Sequence, residues 1–208
     1  DRKANYMTVP AALRELEKSA RPDVFLAEPV GSCTDLVATV LLPLEQVYKA
    51  GFLRAPMSVL LDAKRAWQHC FGRARAGAGF SRDVRYIYQK QMEEAEVLVV
   101  NKADLLTAGQ QQRLTARLER DFPGKQVLLV SARTGAGMDA WFRLLMGREA
   151  HPERVMEVDY ARYGKGEALM GWYNARLSLA LPRSTPGSAA MAVDGNTFLL
   201  ALARAIQM

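Results

Sequence analysis

The sequence predicts an α/β fold in which a mostly parallel sheet is flanked by helices, with a small α+β appendage at the carboxyl end. The first observation is the apolar run 97–100, which is too short for a helix and rich in β-branched residues, as in a central parallel strand covered on both faces. The second is a similar run at 127–130, separated from the first by a segment with helical periodicity. A strand, a helix and a further strand in this order form a βαβ unit, whose strands are parallel.

Length and composition limit the classes of protein to consider. The 208 residues are half apolar, which is enough for one substantial core plus an appendage. Lys and Arg total 28 against 22 for Asp and Glu, and this net charge of +6 is scattered rather than gathered in a basic stripe, so we do not expect nucleic-acid binding. Two cysteines make no disulfide framework, and no apolar stretch is long enough to cross a bilayer. With no secretory signal at the start, the expected location is the cytoplasm.

Five further elements are predicted before the βαβ unit, from apolar periodicity and capping residues. They are a helix over 8–20, a buried strand over 24–27, a helix over 36–41, a strand over 57–61 that ends at Asp62, and a helix capped by Ser81.

The strand predicted over 24–27 leads into a candidate phosphate and metal site. Glu28 would stand at its carboxyl end, where a carboxylate commonly contacts hydrated Mg²⁺. Gly31 would let a backbone N–H approach a terminal phosphate without interference from a Cβ. The alternative is a solvated strand-end residue beside a turn glycine, and this stretch alone does not decide between them.

Polar residues follow the strand 97–100 directly, at the edge of the sheet where ligands bind in open α/β folds. The Asp104 carboxylate could accept hydrogen bonds from the N1 hydrogen and the 2-amino group of guanine, an edge that adenine lacks. The stem of Lys102 could lie on the face of the base, and Asn101 could tie the loop to its neighbours. Taken alone, Asn-Lys-x-Asp would also suit a surface turn.

The second strand of the unit ends in a matching loop. Between the strands, Thr107 and Gln110 have the spacing of a capping box, which marks the start of the connecting helix. Because parallel strands end at the same edge of a sheet, backbone N–H groups around Ser131 and Ala132 are expected to donate to the guanine 6-oxo group. Both halves together predict a guanine pocket.

In their order along the chain, these motifs resemble the CobW/HypB/UreG family of P-loop GTPases. The likeness covers roughly residues 8–147, through the segments 24–31, 59–62, 101–104 and 131–132. The resemblance implies that Glu28 serves catalysis and the metal and that Gly31 faces the γ-phosphate. It also implies that five residues hold the guanine: Asn101, Lys102, Asp104, Ser131 and Ala132.

Membership of this family would imply a GTP-dependent metallochaperone or metal-cofactor assembly factor. The implied ligands are GTP or GDP, Mg²⁺, and Zn, Co or Ni as cargo. The implied partner is a client metalloenzyme or cofactor-assembly protein, with neither nucleic acid nor membrane, and a homodimer is left open.

The sequence also departs from this family. No Gly-x-x-x-x-Gly-Lys-[Ser/Thr] loop occurs: Gly137 is followed by Met138, and Gly164-Lys165-Gly166 lacks the spacing. Such a loop supplies the backbone cradle and the lysine for the phosphates. We therefore expect it, with its strand, upstream of residue 1, and expect GTP hydrolysis only if it is there. The alternatives are a nucleotide-binding or scaffold module without hydrolysis, and an unrelated α/β protein with a chance Asn-Lys-x-Asp.

The metal-binding Cys-x-Cys-Cys motif of the family has no match here either. Cys33 and the pair His69-Cys70 are too sparse for a site with the usual four ligands, so we interpret them as structural or incidental.

The carboxyl-terminal part changes character after a last helix of the nucleotide domain at 138–147. We expect a nucleotide-binding domain over 1–148 and an α+β appendage over 149–208. The appendage is predicted to contain strands over 155–160 and 168–181 and a helix capped by Asn196.

Overall fold

The structure is a computed structural model that describes residues 9–47, 53–71, 80–147, 155–170 and 194–206. Its helices are α1 (Val9–Ala20), α2 (Leu42–Val47, directly after a π-helix at Val37–Leu41), α3 (Ala63–Phe71), α4 (Arg82–Glu94), α5 (Ala108–Asp121), α6 (Met138–Gly147), α7 (Tyr160–Ala168) and α8 (Gly195–Ile206). Its strands are β1 (Ser58–Asp62), β2 (Val97–Asn101) and β3 (Gln126–Leu129). No helix in these ranges combines the length and the apolar character that a membrane span requires.

The three strands form a parallel sheet in the order β1-β2-β3. The register places Asp62 opposite Asn101 and Val100 opposite Leu129, so the carboxyl ends of the strands meet at one edge. This arrangement confirms the predicted parallel sheet flanked by helices, and it brings together the loops that follow β2 and β3.

The central strand β2 is buried on both faces, as its continuous apolar run predicts. Leu98 and Val100 face one cluster, which α3, α4 and α5 cover, and Val97 and Val99 face a second cluster, which α6 covers. The main partners are Met92, Leu114 and Leu118 on the first face and Met138, Trp141 and Leu144 on the second. The strand that carries the candidate base loop is therefore the most enclosed part of the sheet.

Two predicted helix starts are confirmed by their caps. The Thr107 hydroxyl accepts from the Gln110 N–H, and the Gln110 side chain accepts from the Thr107 N–H, which completes a capping box on α5. The Ser81 hydroxyl accepts from the Val84 N–H at the start of α4. Both capping signals lie within three residues of the helix start, and the structure contains both caps.

The strand predicted over 24–27 is wrong. Residues 24–30 have no regular secondary structure, and Leu26 is 92% exposed. A strand exists only through pairing, and none of the described strands pairs with this segment. A short apolar run therefore indicates a capacity to form a strand, which is realised only where the segment pairs with a neighbour.

The strand predicted over 155–160 is wrong too. Residues 155–159 have no regular structure, and α7 begins at Tyr160 because the Asp159 carboxylate accepts from the Arg162 N–H at 3.0 Å. Ala168 ends this helix, and the rest of the strand predicted over 168–181 lies outside the described residues from 171 onward.

The last helix is present, with a different cap from the one predicted. Asp194, not Asn196, caps α8: its carboxylate accepts from the Asn196 N–H at 3.0 Å and from the Thr197 hydroxyl at 2.5 Å. An aspartate one residue before the helix leaves its carboxylate within reach of these donors.

The chain divides into two compact units, Asp1–Gly171 and Trp172–Met208. In the first unit α7 packs against α4, where a Cβ on Gly166 would lie 2.7 Å from Ile87 Cδ1 and 2.9 Å from the Asp83 carbonyl oxygen. In the second unit, α8 is the element that the structure describes. The domain boundary expected between 148 and 149 stays a prediction.

Candidate functional site

Asn101, the last residue of β2, connects the two loops of the candidate site. Its side-chain oxygen accepts from the Lys102 N–H at 2.7 Å and from the Ala132 N–H at 3.0 Å. Two backbone donors fix the amide with its oxygen toward the protein, and its NH₂ group donates to nothing within the described ranges. The loop after β3 is therefore attached to the end of β2 through one side chain.

Asp104 sits in a single 3₁₀ turn, Ala103–Leu105, that follows Lys102 in a left-handed conformation (φ 63°). The turn is attached to the end of β3 by the Ala103 N–H, which donates to the Val130 carbonyl at 3.0 Å. This bond places the Asp104 side chain, which is 18% exposed, over the loop that follows β3.

The two oxygens of Asp104 have different partners. Oδ1 accepts from the Ser131 hydroxyl at 2.6 Å, and Oδ2 accepts from Arg133 Nη2 at 2.6 Å. The Ser131 hydrogen bond, followed by the charge and hydrogen bond of Arg133, holds the pKa of Asp104 below its usual value. The carboxylate is thus ionised and bonded to the loop after β3, next to Ser131 as the sequence predicts.

The loop after β3 is built on buried Ser131 and two left-handed glycines. The Ser131 carbonyl accepts from the Gly135 N–H at 2.8 Å, and Gly135 has φ 80°. Gly137 has φ 75°, and a Cβ there would collide with the Leu129 carbonyl oxygen. The loop can close over the end of β3 only with glycine at 137.

The backbone N–H groups expected to reach a ligand are already engaged. The Ser131 N–H donates to the Ala136 carbonyl at 2.8 Å, and the Ala132 N–H donates to Asn101. A tight turn satisfies its own donors first, since a buried unpaired N–H is costly. Among the described groups at the strand ends, the Asn101 NH₂ group is one of the donors that have no partner within the described residues.

Lys102 and Asp62 join the base loop to β1. Lys102 Nζ lies 2.8 Å from Asp62 Oδ2, and the Arg65 N–H donates to Asp62 Oδ1 at 3.0 Å. Burial raises the pKa of Asp62, but the hydrogen bond from Lys102, the backbone hydrogen bonds from Arg65 and Lys64 and the charge of Lys102 together lower it overall. The ammonium is thereby fixed at the edge of the sheet, while more than half of the lysine side chain stays exposed.

Sequence reasoning missed Gln111, which supports the base loop from α5. Its Nε2 donates to the Ala103 carbonyl at 2.8 Å and to the Leu106 carbonyl at 3.3 Å. Its position one turn after the Thr107 cap was the available signal, since a side chain there points back toward the amino terminus of the helix.

Glu28 and Gly31 are not joined to the base loops by any hydrogen bond of the described residues. Glu28 is exposed in the irregular segment 24–30. The Gly31 carbonyl accepts from Gln91 Nε2 of α4 at 2.8 Å. The structure brings together the five base residues and leaves this pair apart from their hydrogen-bonded network.

A polar cluster after Gly31 also escaped the sequence analysis. Asp35 is buried in a left-handed conformation (φ 62°) and accepts a hydrogen bond from the Tyr160 hydroxyl. Glu94 accepts from the Val37 N–H at 2.7 Å, and burial raises the pKa of this glutamate despite that bond. The cluster ties the segment after Gly31 to α4 and α7.

In the described part of the chain, no group of three or more His, Cys, Asp or Glu side chains could hold a metal ion. Cys33 and Cys70 are free thiols, and burial raises the pKa of Cys70, which disfavours the thiolate that binds metals. Glu28 belongs to no such group, and a single carboxylate suits Mg²⁺ only where phosphates and water complete its coordination.

Comparison with known proteins identifies a family model that matches the chain. The family model described as CobW/HypB/UreG, nucleotide-binding domain, matches residues 6–129, which is more than half of the chain and includes β1, β2 and the loop from Asn101 to Asp104. No curated protein and no solved structure matches the chain.

Proposed function

Because the chain belongs to the CobW/HypB/UreG family through its nucleotide-binding domain, we propose that it binds the base of a guanine nucleotide between the ends of β2 and β3. The observation that carries this proposal is the position of Asp104, whose carboxylate is 2.6 Å from the Ser131 hydroxyl of the neighbouring loop. The family domain indicates that the ligand is a nucleotide, and the position of the Asp104 carboxylate favours guanine as its base.

Asp104 can recognise guanine without losing its support. Each carboxylate oxygen has two acceptor positions, so Oδ1 keeps the Ser131 hydroxyl while Oδ2 faces the N1 hydrogen and 2-amino group of the base. Adenine presents neither donor at this edge, and an ionised carboxylate left unpaired is penalised by a factor of roughly 10⁴ or more. The depressed pKa of Asp104 keeps it ionised at neutral pH.

The opposite edge of the base is assigned to Asn101. Its oxygen accepts from two backbone N–H groups, which directs its NH₂ group outward. This group donates to the acceptor side of the purine, the role first expected of the N–H groups at Ser131 and Ala132. Lys102 covers the face of the base with its stem while Asp62 holds its ammonium.

We extend the proposal to a GTP-dependent metallochaperone or metal-cofactor assembly factor, on the strength of the family alone. In this proposal Glu28 and Gly31 serve Mg²⁺ and the γ-phosphate, Zn, Co or Ni is the cargo, and a client metalloenzyme or assembly protein is the partner. The second candidate is a nucleotide-binding scaffold without hydrolysis. It is favoured by the position of Glu28, which is exposed and is not hydrogen-bonded to the base loops within the described residues.

Titration with neutral nucleosides tests base recognition without any contribution from phosphates. Guanosine should shift the amide resonances of residues 101–104 and 131–133 in a ¹⁵N–¹H correlation spectrum, and adenosine at the same concentration should not. Equal shifts with both nucleosides, or guanosine shifts confined to other residues, would contradict the assignment.

Asp104→Asn tests the carboxylate itself. An amide can donate to the 2-oxo group of xanthine, so the variant should lose guanosine binding and gain xanthosine binding. Asp139→Asn, at an exposed position of α6, is the matched control and should keep the wild-type preference. A variant at 104 that still prefers guanosine would show that another group reads the base.

Phosphate release from GTP with Mg²⁺ separates the two function classes. If the protein is a GTPase, the wild type should hydrolyse GTP, and Glu28→Gln should abolish hydrolysis while guanosine binding is unchanged. If the protein is a scaffold, both the wild type and Glu28→Gln should bind guanosine, and neither should hydrolyse GTP. Metal analysis after purification without added metal tests the cargo.

A further inference from the structure

Arg133 occupies the recognition edge of Asp104. Its Nη2 donates to Asp104 Oδ2 at 2.6 Å, and that is its side-chain hydrogen bond among the described residues. The Arg133 side chain is 75% exposed, whereas the carboxylate that it contacts is largely covered. The arginine therefore approaches Asp104 from the solvent side, where a ligand would enter.

The guanidinium and the guanine edge offer the same kind of donor. Guanidinium is planar and presents adjacent N–H groups, as the N1 hydrogen and 2-amino group of guanine do. Since Oδ1 is held by Ser131, both would pair with Oδ2. In the proposed base complex the N1 hydrogen and the 2-amino group take both acceptor positions of Oδ2, so none is left for Arg133.

We propose that Arg133 is a positioning residue that stands in for the guanine edge in the empty site and swings into solvent when the base binds, an inference that rests on the proposed function. In the empty site it keeps the Asp104 carboxylate paired, with the side chain of Asp104 18% exposed. Its own exposure makes it a weak competitor, because an ion pair in contact with water contributes little net stability.

The backbone around Arg133 allows this exchange without rearranging the loop. Ser131 accepts from the Gly135 N–H, and Ala132 donates to Asn101, so the residues on either side of Arg133 are held by bonds that do not involve its side chain. Rotation about the side-chain bonds of an exposed arginine is enough to clear Asp104.

Guanosine titrations of the wild type and three variants test this role. Arg133→Ala should bind guanosine about two- to five-fold more tightly than the wild type, the range expected for removing an exposed ion-pair competitor. Arg133→Lys, which keeps the charge, should stay near the wild type. Arg143→Ala, on exposed α6, removes the same charge away from the site and should also stay near the wild type.

Ionic strength gives a second readout, because guanosine is uncharged. Salt weakens the ion pair at Asp104, because the screening length falls well below 10 Å between 20 mM and about 500 mM NaCl. The affinity of the wild type for guanosine should therefore rise over this range, while that of Arg133→Ala stays level. Arg133→Lys should keep the wild-type salt response.

The outcomes separate this inference from the proposed function. If neither the wild type nor Arg133→Ala binds guanosine, the proposed function fails and the inference fails with it. If the wild type binds and Arg133→Ala binds equally or more weakly, the inference alone is overturned, since Arg133 then helps or ignores the base. A ¹³C titration of the Asp104 carboxyl without ligand must also show a higher pKa in Arg133→Ala than in the wild type. An unchanged pKa would show that Arg133 does not pair with Asp104 in solution and would overturn the inference.

Discussion

At the scale of single residues, the candidate site depends on side chains and glycines that hold two loops in register. Asn101 accepts from both loops, Ser131 orients Asp104, and Gly137 lets the chain pass the end of β3. Asn101 and Ser131 act through hydrogen bonds of 2.6 to 3.0 Å, and Gly137 acts by leaving out a Cβ, so a change at any of the three should alter the base site.

Gly137→Ala should destabilise the protein more than Gly135→Ala. Both glycines are left-handed, so alanine costs roughly 1 kcal/mol at either position through backbone strain. At 137 the new Cβ also meets the Leu129 carbonyl oxygen, whereas at 135 it enters open space. Urea unfolding measures the two free energies, and equal losses would show that the collision is relieved.

Acid should weaken base binding only below the ordinary aspartate range. The pKa of Asp104 is lowered from 3.8 in the folded state, so its pairs with Ser131 and Arg133 contribute above that value and are lost as pH falls through the folded-state pKa. Guanosine affinity should be level from pH 7 to about 5 and decline below pH 3.8. Circular dichroism at each pH monitors folding, and loss of binding near pH 6 would point to another titrating group.

At the scale of elements, α7 is held within the first unit by close packing against α4 and by hydrogen bonds at its first turn. Gly166 lets the two helices approach, the Tyr86 hydroxyl accepts from the Asp159 N–H at 2.7 Å, and Arg162 pairs with Asp83 at 3.2 Å. Since Tyr160 also bonds Asp35, α7 shares contacts with the segment after Gly31.

Gly166→Ala should loosen α7, and Gly164→Ala should not. A methyl group at 166 meets the Asp83 backbone, and overpacking of this kind costs roughly 1–3 kcal/mol. At 164 the same change meets nothing within 4 Å and gains up to about 1 kcal/mol of helix propensity. Hydrogen exchange of the α7 amides should become faster in Gly166→Ala only. If exchange became slower in both variants, the methyl group at 166 would be accommodated without a packing cost.

At the scale of the whole molecule, the fold is a three-stranded parallel sheet whose middle strand is enclosed on both faces. Exposure differs sharply between neighbouring strands: Leu98 of β2 is fully buried, whereas Leu60 of β1 is 55% exposed. Stability should therefore be concentrated in β2 and in the helices that cover it.

Leu98→Ala should cost roughly 2–5 kcal/mol in the free energy of unfolding, because it leaves a cavity between the sheet and the helices. Leu60→Ala should cost about 1 kcal/mol or less, since half of that side chain already faces water. Denaturant titration of this chain compares the two, and a Leu60 loss as large as that of Leu98 would mean that another surface covers β1 in solution.

Sequence reasoning predicted the parts of the fold whose causes are local or strongly periodic. The run 97–100 indicated β2, the Thr107–Gln110 spacing indicated the start of α5, and Asn101 to Asp104 were placed at a strand end. It failed at 24–27 and 155–160, where apolar or alternating patterns favour a strand and no neighbour pairs with one.

The sequence by itself determined the parallel βαβ unit and the two loops that meet at its carboxyl edge, because periodicity, capping and the direction of parallel strands are sufficient for that. Only the tertiary structure decided which partner each site group has. It gave the Ala132 N–H to Asn101, the Asp104 carboxylate to Ser131 and Arg133, and Lys102 to Asp62. Those choices depend on side chains that are 27 to 40 residues apart in sequence and within 3.0 Å in space.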